Sequence, residues 1–83
     1  MAKSIHSEEQ RRLSQFLKAT RRAAGMTQTQ VAGAMGRPQS FVAKYEGGER
    51  RLDLIELVAV AHALGREPLQ LLRGALRAIE RGP

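Results

Sequence analysis

A helix predicted over residues 38–46 carries small and polar side chains along one side. At about 100° per residue, one arc of this helix holds Gln39, Ser40, Ala43 and Lys44. These residues supply an amide, a hydroxyl, a methyl group and a cation, which are groups that pair with base edges in a DNA major groove. We therefore predict that this arc contacts bases and that it faces nucleic acid rather than the protein core.

Apolar side chains occupy the opposite arc of this helix and one face of the helix before it. The first set is Pro38, Phe41, Val42 and Tyr45, and the second is Val31, Ala32 and Met35. Gly36 suits the left-handed conformation that ends a helix, and Pro38 suits a first helical turn, where no backbone donor is needed. Residues 28–47 are therefore predicted to form two short helices joined by a tight turn.

This stretch resembles the helix-turn-helix of the lambda-repressor/Cro-like (XRE) family of transcriptional regulators. The resemblance runs from about Leu17 to Leu72, and its motif residues are Gln28, Val31, Ala32, Met35, Gly36, Val42, Tyr45, Glu46 and Gly48. It implies an all-α fold of five helices with a central helix-turn-helix, and sequence-specific binding to double-stranded DNA. Two positions depart from the family pattern: Arg37, where an aliphatic residue is usual, and Pro38, where a capping Ser or Thr is common.

Four residues are predicted to contact DNA phosphates. By resemblance, Gln28 grips a phosphate at the first turn of helix two, where free amides and the helix dipole favour an anion. Arg50 and Arg51 match a family loop that lies along the phosphate backbone, although a charge pair in a loop is usually only solvated. The stem of Arg37 is long enough to cover the core while its charge reaches water or a phosphate.

Arg21 and Glu46 are predicted to form a structural ion pair. Arg21 lies four residues before Gly25, where family members carry an arginine that pairs with the glutamate ending the recognition helix. Here that glutamate is Glu46, so the pair would tie helix one to helix three. No acid/base pair, activated nucleophile or metal-ligand cluster is recognisable, so we do not expect an enzyme.

Capping signals place the remaining helices. The spacing of a capping box is found for Ser7 with Gln10, Thr27 with Gln30, and Asp53 with Glu56, which predicts the starts of helices one, two and four. Glycines 25 and 65 predict the ends of helices one and four. Residues 67–81 are predicted as the C-terminal helix, with Pro68 at its start, and residues 1–6 as a flexible arm.

Composition favours one small helical domain over residues 1–83 that binds a polyanion. Fourteen Lys and Arg against eight Asp and Glu give a net charge of +6, which favours nucleic acid first and an anionic membrane second. The chain has no cysteine and only two distant histidines, His6 and His62, so we expect no metal. Without a signal peptide or a membrane-length apolar run, we predict a cytoplasmic protein with no cofactor and no small-molecule ligand.

Helices four and five carry more apolar surface than one small domain needs. Between residues 54 and 64 only Glu56 and His62 are polar, so helix four must be enclosed by its own domain or by a partner chain. Leu72, Leu76 and Ile79 are predicted to form a homodimer interface, and a two-fold dimer would bind a palindromic operator. The alternative is an antitoxin-like or other protein-interaction module. The sequence does not choose among phage repressor, controller protein and antitoxin.

Overall fold

The computed structural model describes residues 7–81, and this part of the chain is all α-helical. Its helices are α1 (Glu8–Ala23), α2 (Gln28–Met35), α3 (Gln39–Glu46), α4 (Leu54–Ala63) and α5 (Pro68–Arg81). The prediction of an all-α fold with five helices is confirmed. Residues 1–6, predicted as a flexible arm, lie outside the described residues.

Three helices begin at the capping residues that the sequence predicts, and each start is stabilised by a side-chain hydrogen bond. The Thr27 and Asp53 side chains each close a complete capping box, at α2 and α4 respectively. At α1, the Ser7 hydroxyl accepts the backbone N–H of Gln10 at 3.1 Å. The Gln10 side chain instead donates to the Ser14 hydroxyl at 3.3 Å, within the buried face of the helix.

Helix α3 begins at Gln39, one residue later than the sequence predicts. Pro38 is its N-cap, with φ −70° and ψ 156°, and the residue is exposed. The assignment of Pro38 to the buried arc is therefore wrong, because a residue in extended backbone does not share the periodicity of the helix that follows. The three other members of that arc, Phe41, Val42 and Tyr45, are buried as predicted.

Every helix contributes to one apolar core. The central side chains are Leu17, Val31, Val42, Val60 and Leu71, one from each helix, and none is more than 4% exposed. Burying each stabilises the fold by about 1.5–3 kcal/mol. Helix α1 packs against α3 and α5, while α2 packs against α3 and α4. The pair α2–α3 is thus held by its inner face, and the outer arc of α3 stays uncovered.

Helix α4 is enclosed over only part of its length. Val60 and Ala61 are fully buried, whereas Leu54 and Ile55 in the first turn are 67% and 81% exposed. The prediction that this helix must be enclosed is therefore not met for its first turn by residues 7–81 alone.

The turn between α2 and α3 depends on Gly36. Its backbone is left-handed, with φ 68° and ψ 30°. The Arg37 N–H donates to the Ala32 carbonyl at 2.9 Å, which closes the end of α2. A Cβ at Gly36 would meet no neighbouring atom within 4 Å, so only the conformational cost of a left-handed L-residue opposes a substitution.

We predict opposite effects for two alanine substitutions in α2 and its cap. Gly36→Ala should lower the free energy of unfolding by about 1–2 kcal/mol, because the left-handed conformation disfavours a Cβ. Gly33→Ala, within the helix and equally open, should raise it by roughly 0.5–1 kcal/mol through helix propensity. Urea denaturation of both variants measures the difference. Equal effects would contradict this account of the turn.

Candidate nucleic-acid interface

The outer arc of α3 is available to a ligand. Gln39, Ser40 and Lys44 are exposed and Ala43 is half-buried, so the structure places all four predicted base contacts on one surface. Eight helical residues span about 12 Å, a length that matches the width of a major groove. The opposite side of the helix is anchored in the core, so the arc is presented by a fixed element.

A chain of side-chain hydrogen bonds runs from the exposed start of α3 to its buried end. Gln39 Nε2 donates to Gln28 Oε1 at 2.7 Å. Gln28 Nε2 donates to Glu46 Oε1 at 3.0 Å, and Glu46 also accepts from Arg21 Nε and Nη2 at 2.8 and 3.1 Å. We call these four residues the Gln39–Arg21 network. It fixes which amide atoms of Gln39 point inward.

The Arg21–Glu46 ion pair is buried at the base of this network. The side chains are 10% and 1% exposed, and the hydrogen bond with the Glu46 carboxylate is the main cause that raises the pKa of Arg21. Arg21 Nη1 also donates to the Met26 carbonyl at 2.8 Å. The pair therefore ties α1 to the end of α3 and to the loop before α2.

We predict that either partner is costly to remove alone. Arg21→Ala or Glu46→Ala leaves a buried charge without its counter-ion, which should cost about 3–5 kcal/mol of the free energy of unfolding. The double variant should lose less than the sum of the two single losses. Thermal denaturation tests this, with the exposed neighbour Arg22→Ala as the control. Two additive or negligible losses would contradict the buried pair.

A second charged group lies beside the first turn of α3. Both carboxylate oxygens of Glu56 accept from Arg50, at 2.9 Å from Nη1 and 2.7 Å from Nη2. Arg37 Nη2 lies 3.6 Å from Glu56 Oε2. Both guanidinium carbons lie over the Phe41 ring, at 4.5 Å for Arg37 and 4.7 Å for Arg50. We call Arg37, Phe41, Arg50 and Glu56 the Glu56 cluster.

The Glu56 carboxylate is charged at all ordinary pH values. Hydrogen bonds from Arg50, and then from the backbone of Asp53, lower its pKa to about 2. The sequence indicated Glu56 only as a capping residue of α4, and its ion pairs were missed. A capping box is a local signal, whereas Arg37 and Arg50 reach Glu56 only once the turn and the loop are folded. The phosphate contacts assigned to these arginines stay predictions.

The remaining predicted site residues lie in the loop after α3 and on α5. Arg51 is exposed in the loop after α3. Leu72 lines a cavity of about 260 Å³ with Leu54 and Leu69, and Leu76 is exposed. Ile79 lines a different cavity against α1, and its carbonyl accepts from Arg12. On α5 these three leucine and isoleucine side chains follow the i, i+4, i+7 spacing of one helix face, and their role as a dimer interface stays a prediction.

Within residues 7–81, no three His, Asp or Glu side chains are grouped as metal ligands would be. The helices described here are also too short or too polar to cross a membrane.

The fold and the exposed arc of α3 define a helix-turn-helix protein. The family model described as a helix-turn-helix domain matches residues 12–74. An XRE-family-like protein from Pseudomonas syringae pv. tomato is 43% identical, with a TM-score of 0.76 over 87% of this chain and 88% of that chain. The restriction–modification controller protein C.AhdI from Aeromonas hydrophila is 31% identical, with a TM-score of 0.72 over 78% and 98%.

The chain belongs to the XRE-like family of helix-turn-helix transcription regulators. It is a DNA-binding regulator and not an enzyme. The controller protein C.Esp1396I, solved as a tetramer on its natural 35 base-pair operator, shares the fold at 20% identity, with a TM-score of 0.80 over 89% of this chain and 97% of that chain. No curated protein matches the sequence.

Proposed function

We propose that this regulator binds double-stranded DNA with sequence preference, as a homodimer on a palindromic operator, and represses transcription by occupying it. The observation that carries the proposal is the orientation of Gln39. Its amide stands at the exposed start of α3, and the Gln39–Arg21 network holds one of its N–H groups. In a helix-turn-helix protein, the N-terminal residues of the second helix contact base edges.

The donor and acceptor groups that the Gln39 amide leaves free match the major-groove edge of adenine. One Nε2 hydrogen is engaged by Gln28, which leaves the other hydrogen and Oε1 for a ligand. An adenine offers N6–H to an acceptor and N7 to a donor in the major groove, which matches this pair of groups. Because Gln28 already restricts the side chain, binding costs less conformational entropy than ordering a free glutamine would.

Residues near Gln39 are proposed to contact the DNA phosphates. Gln28 lies in the first turn of α2, with both of its amide atoms engaged by Gln39 and Glu46. Its second Nε2 hydrogen and the free backbone N–H groups of that turn are left for an anion. Lys44, in the last turn of α3, and Arg51, in the loop after it, are both exposed and are proposed to contact the flanking DNA backbone.

We predict that Gln39→Ala relaxes sequence choice without abolishing binding. The variant should lose about 1–3 kcal/mol on the preferred site and much less on a scrambled duplex, because it removes a base contact and leaves the phosphate contacts. Titrations against both duplexes at several salt concentrations measure this. The matched control is Gln15→Ala, which removes an exposed amide from α1. An equal loss on both duplexes would exclude Gln39 as the reading residue.

The proposed homodimer uses an apolar surface on α4 and α5. The exposed members are Leu54, Ile55, Leu69 and Leu76, and the half-buried ones are Val58 and Leu72. We call this the α4–α5 face; it joins Leu72 and Leu76 of the sequence prediction to apolar residues of α4. Its proposed occupant is a second copy of the chain, because a two-fold dimer places two recognition helices on one operator. The tetrameric assembly of C.Esp1396I on DNA supports oligomeric binding.

We predict that Ile55→Glu separates the dimer without harming the fold. Ile55 is 81% exposed in the single chain, and a carboxylate in the first turn of a helix interacts favourably with the helix dipole. Losing one buried Ile per copy should weaken dimerisation by about 3 kcal/mol, or roughly 100-fold. Gln70→Glu is the control, since it adds the same charge in the exposed first turn of α5.

Sedimentation over a concentration series measures dimerisation. Titrations against a palindromic duplex and against a single half-site measure how dimerisation affects DNA binding. The expected result is a dimeric wild type and control, and a monomeric Ile55→Glu that binds both duplexes weakly. A monomeric wild type, on DNA as well, would exclude the homodimer. If that monomer also bound duplex without salt dependence, the alternative of a protein-interaction module would be favoured.

A further inference from the structure

Arg50 is restrained on three sides. Its Nη1 and Nη2 donate to the two oxygens of Glu56. Nη1 also donates to the Arg51 carbonyl at 2.9 Å, and one face of the guanidinium lies over the Phe41 ring. A guanidinium has five N–H donors in a rigid plane. Three of them are therefore assigned to acceptors within the chain.

The two remaining donors lie on one edge of the same plane. They are Nε–H and the second Nη2 hydrogen, and no acceptor for them is found among residues 7–81. Two parallel N–H groups on one edge are the arrangement that binds a phosphate through both of its oxygens. The side chain is 37% exposed, so this edge is accessible to a ligand.

The Glu56 cluster lies beside the turn of α3 that is proposed to contact DNA. Phe41 belongs to the first turn of α3, beside the exposed Gln39 and Ser40. When that turn contacts base edges, the groups alongside it lie near the phosphates that border the groove. Glu56 itself is only 13% exposed and is held by the backbone N–H of Asp53 at 3.0 Å. The Glu56 carboxylate is therefore fixed at the start of α4.

We infer that Glu56 is a positioning residue for DNA binding: it holds Arg50 so that the free edge of the guanidinium receives a backbone phosphate. This inference rests on the proposed function and goes beyond it. It assigns to an acidic residue a favourable role in binding a polyanion. Simple charge repulsion predicts the reverse, because a carboxylate near DNA should weaken binding.

That difference in sign makes the inference testable with Glu56→Gln. The amide oxygen of a glutamine can replace the Glu56 oxygen that accepts from the Asp53 N–H in the capping box, so the start of α4 is preserved. It lacks the charge and the second acceptor oxygen that hold Arg50. The matched control is Glu49→Gln, in the loop that carries Arg50, which removes an exposed carboxylate that forms no ion pair among residues 7–81.

The experiment measures the affinity for a mixed-sequence duplex as a function of salt for wild type, Glu56→Gln, Arg50→Ala, the double variant and the control. Arg50→Ala and Glu56→Gln should each flatten the salt slope by about 0.9, the value for one phosphate contact. The double variant should be no flatter than either single one. Between 50 and 200 mM salt, each lost contact corresponds to a factor of about 3–4 in affinity. Glu49→Gln should bind as tightly as wild type or more tightly.

Two results would overturn the inference. Tighter binding by Glu56→Gln, as in the control, would mean that the carboxylate competes with phosphate. A loss of affinity that leaves the salt slope unchanged and adds to that of Arg50→Ala would mean a purely structural role. A wild-type protein whose duplex binding did not weaken with salt would refute the proposed function itself, before any variant is compared.

If the Glu56→Gln variant unfolds, an NMR measurement on the wild type still tests the inference. The side-chain Nε–H resonance of Arg50 should shift when duplex is added, because this hydrogen belongs to the free edge. The backbone amide of Gln39 reports binding independently. If the Gln39 amide shifts while the Arg50 Nε–H does not, phosphate is not bound at this edge and the inference is wrong.

Discussion

Helix α3 is held in position by a buried charge pair as well as by apolar packing. Glu46 closes α3 with a side chain only 1% exposed, and Arg21 meets it from α1. Removing both ions from water is expensive, and the cost is offset only where their remaining hydrogen-bonding groups are satisfied. Here the Met26 carbonyl and the Gln28 amide satisfy them. Apolar contacts tolerate small shifts of a helix, whereas this geometry requires one orientation of α3.

Two carboxylates near α3 thus hold arginines in different ways. Glu46 lies in the interior and holds Arg21 there, with side chains only 1% and 10% exposed, so this pair presents little surface to a ligand. Glu56 lies near the surface, and Arg50 and Arg37 beside it are 37% and 45% exposed. The first arrangement orients a helix and the second displays cations. In a chain of net charge +6, the acidic residues beside α3 therefore fix the positions of the arginines that pair with them.

The sequence predicted the features that depend on near neighbours. The capping residues Thr27 and Asp53 and the turn residue Gly36 act over three or four positions, and the structure has each of them as expected. Arg21 and Glu46 are 25 residues apart, and only the resemblance to a family connected them. Pro38 was misplaced because a 100° periodicity applies only to helical backbone, and Pro38 is an extended N-cap residue. The Glu56 cluster was missed because it joins a turn, a loop and two helices, and no periodicity links such elements.

The exposed α4–α5 face follows from the size of the chain. A domain of this length has a small interior, because surface grows relative to volume as a chain shortens. Helix α4 buries Val60 and Ala61 beneath α2 and α5, and its first turn extends beyond what those helices cover. Leu54 and Ile55 contribute little burial to the single chain, since each keeps more than half of its surface in water. A surface that covered them would add the free energy of burying two large apolar side chains. A second copy would supply one and would also add stability that a small core lacks.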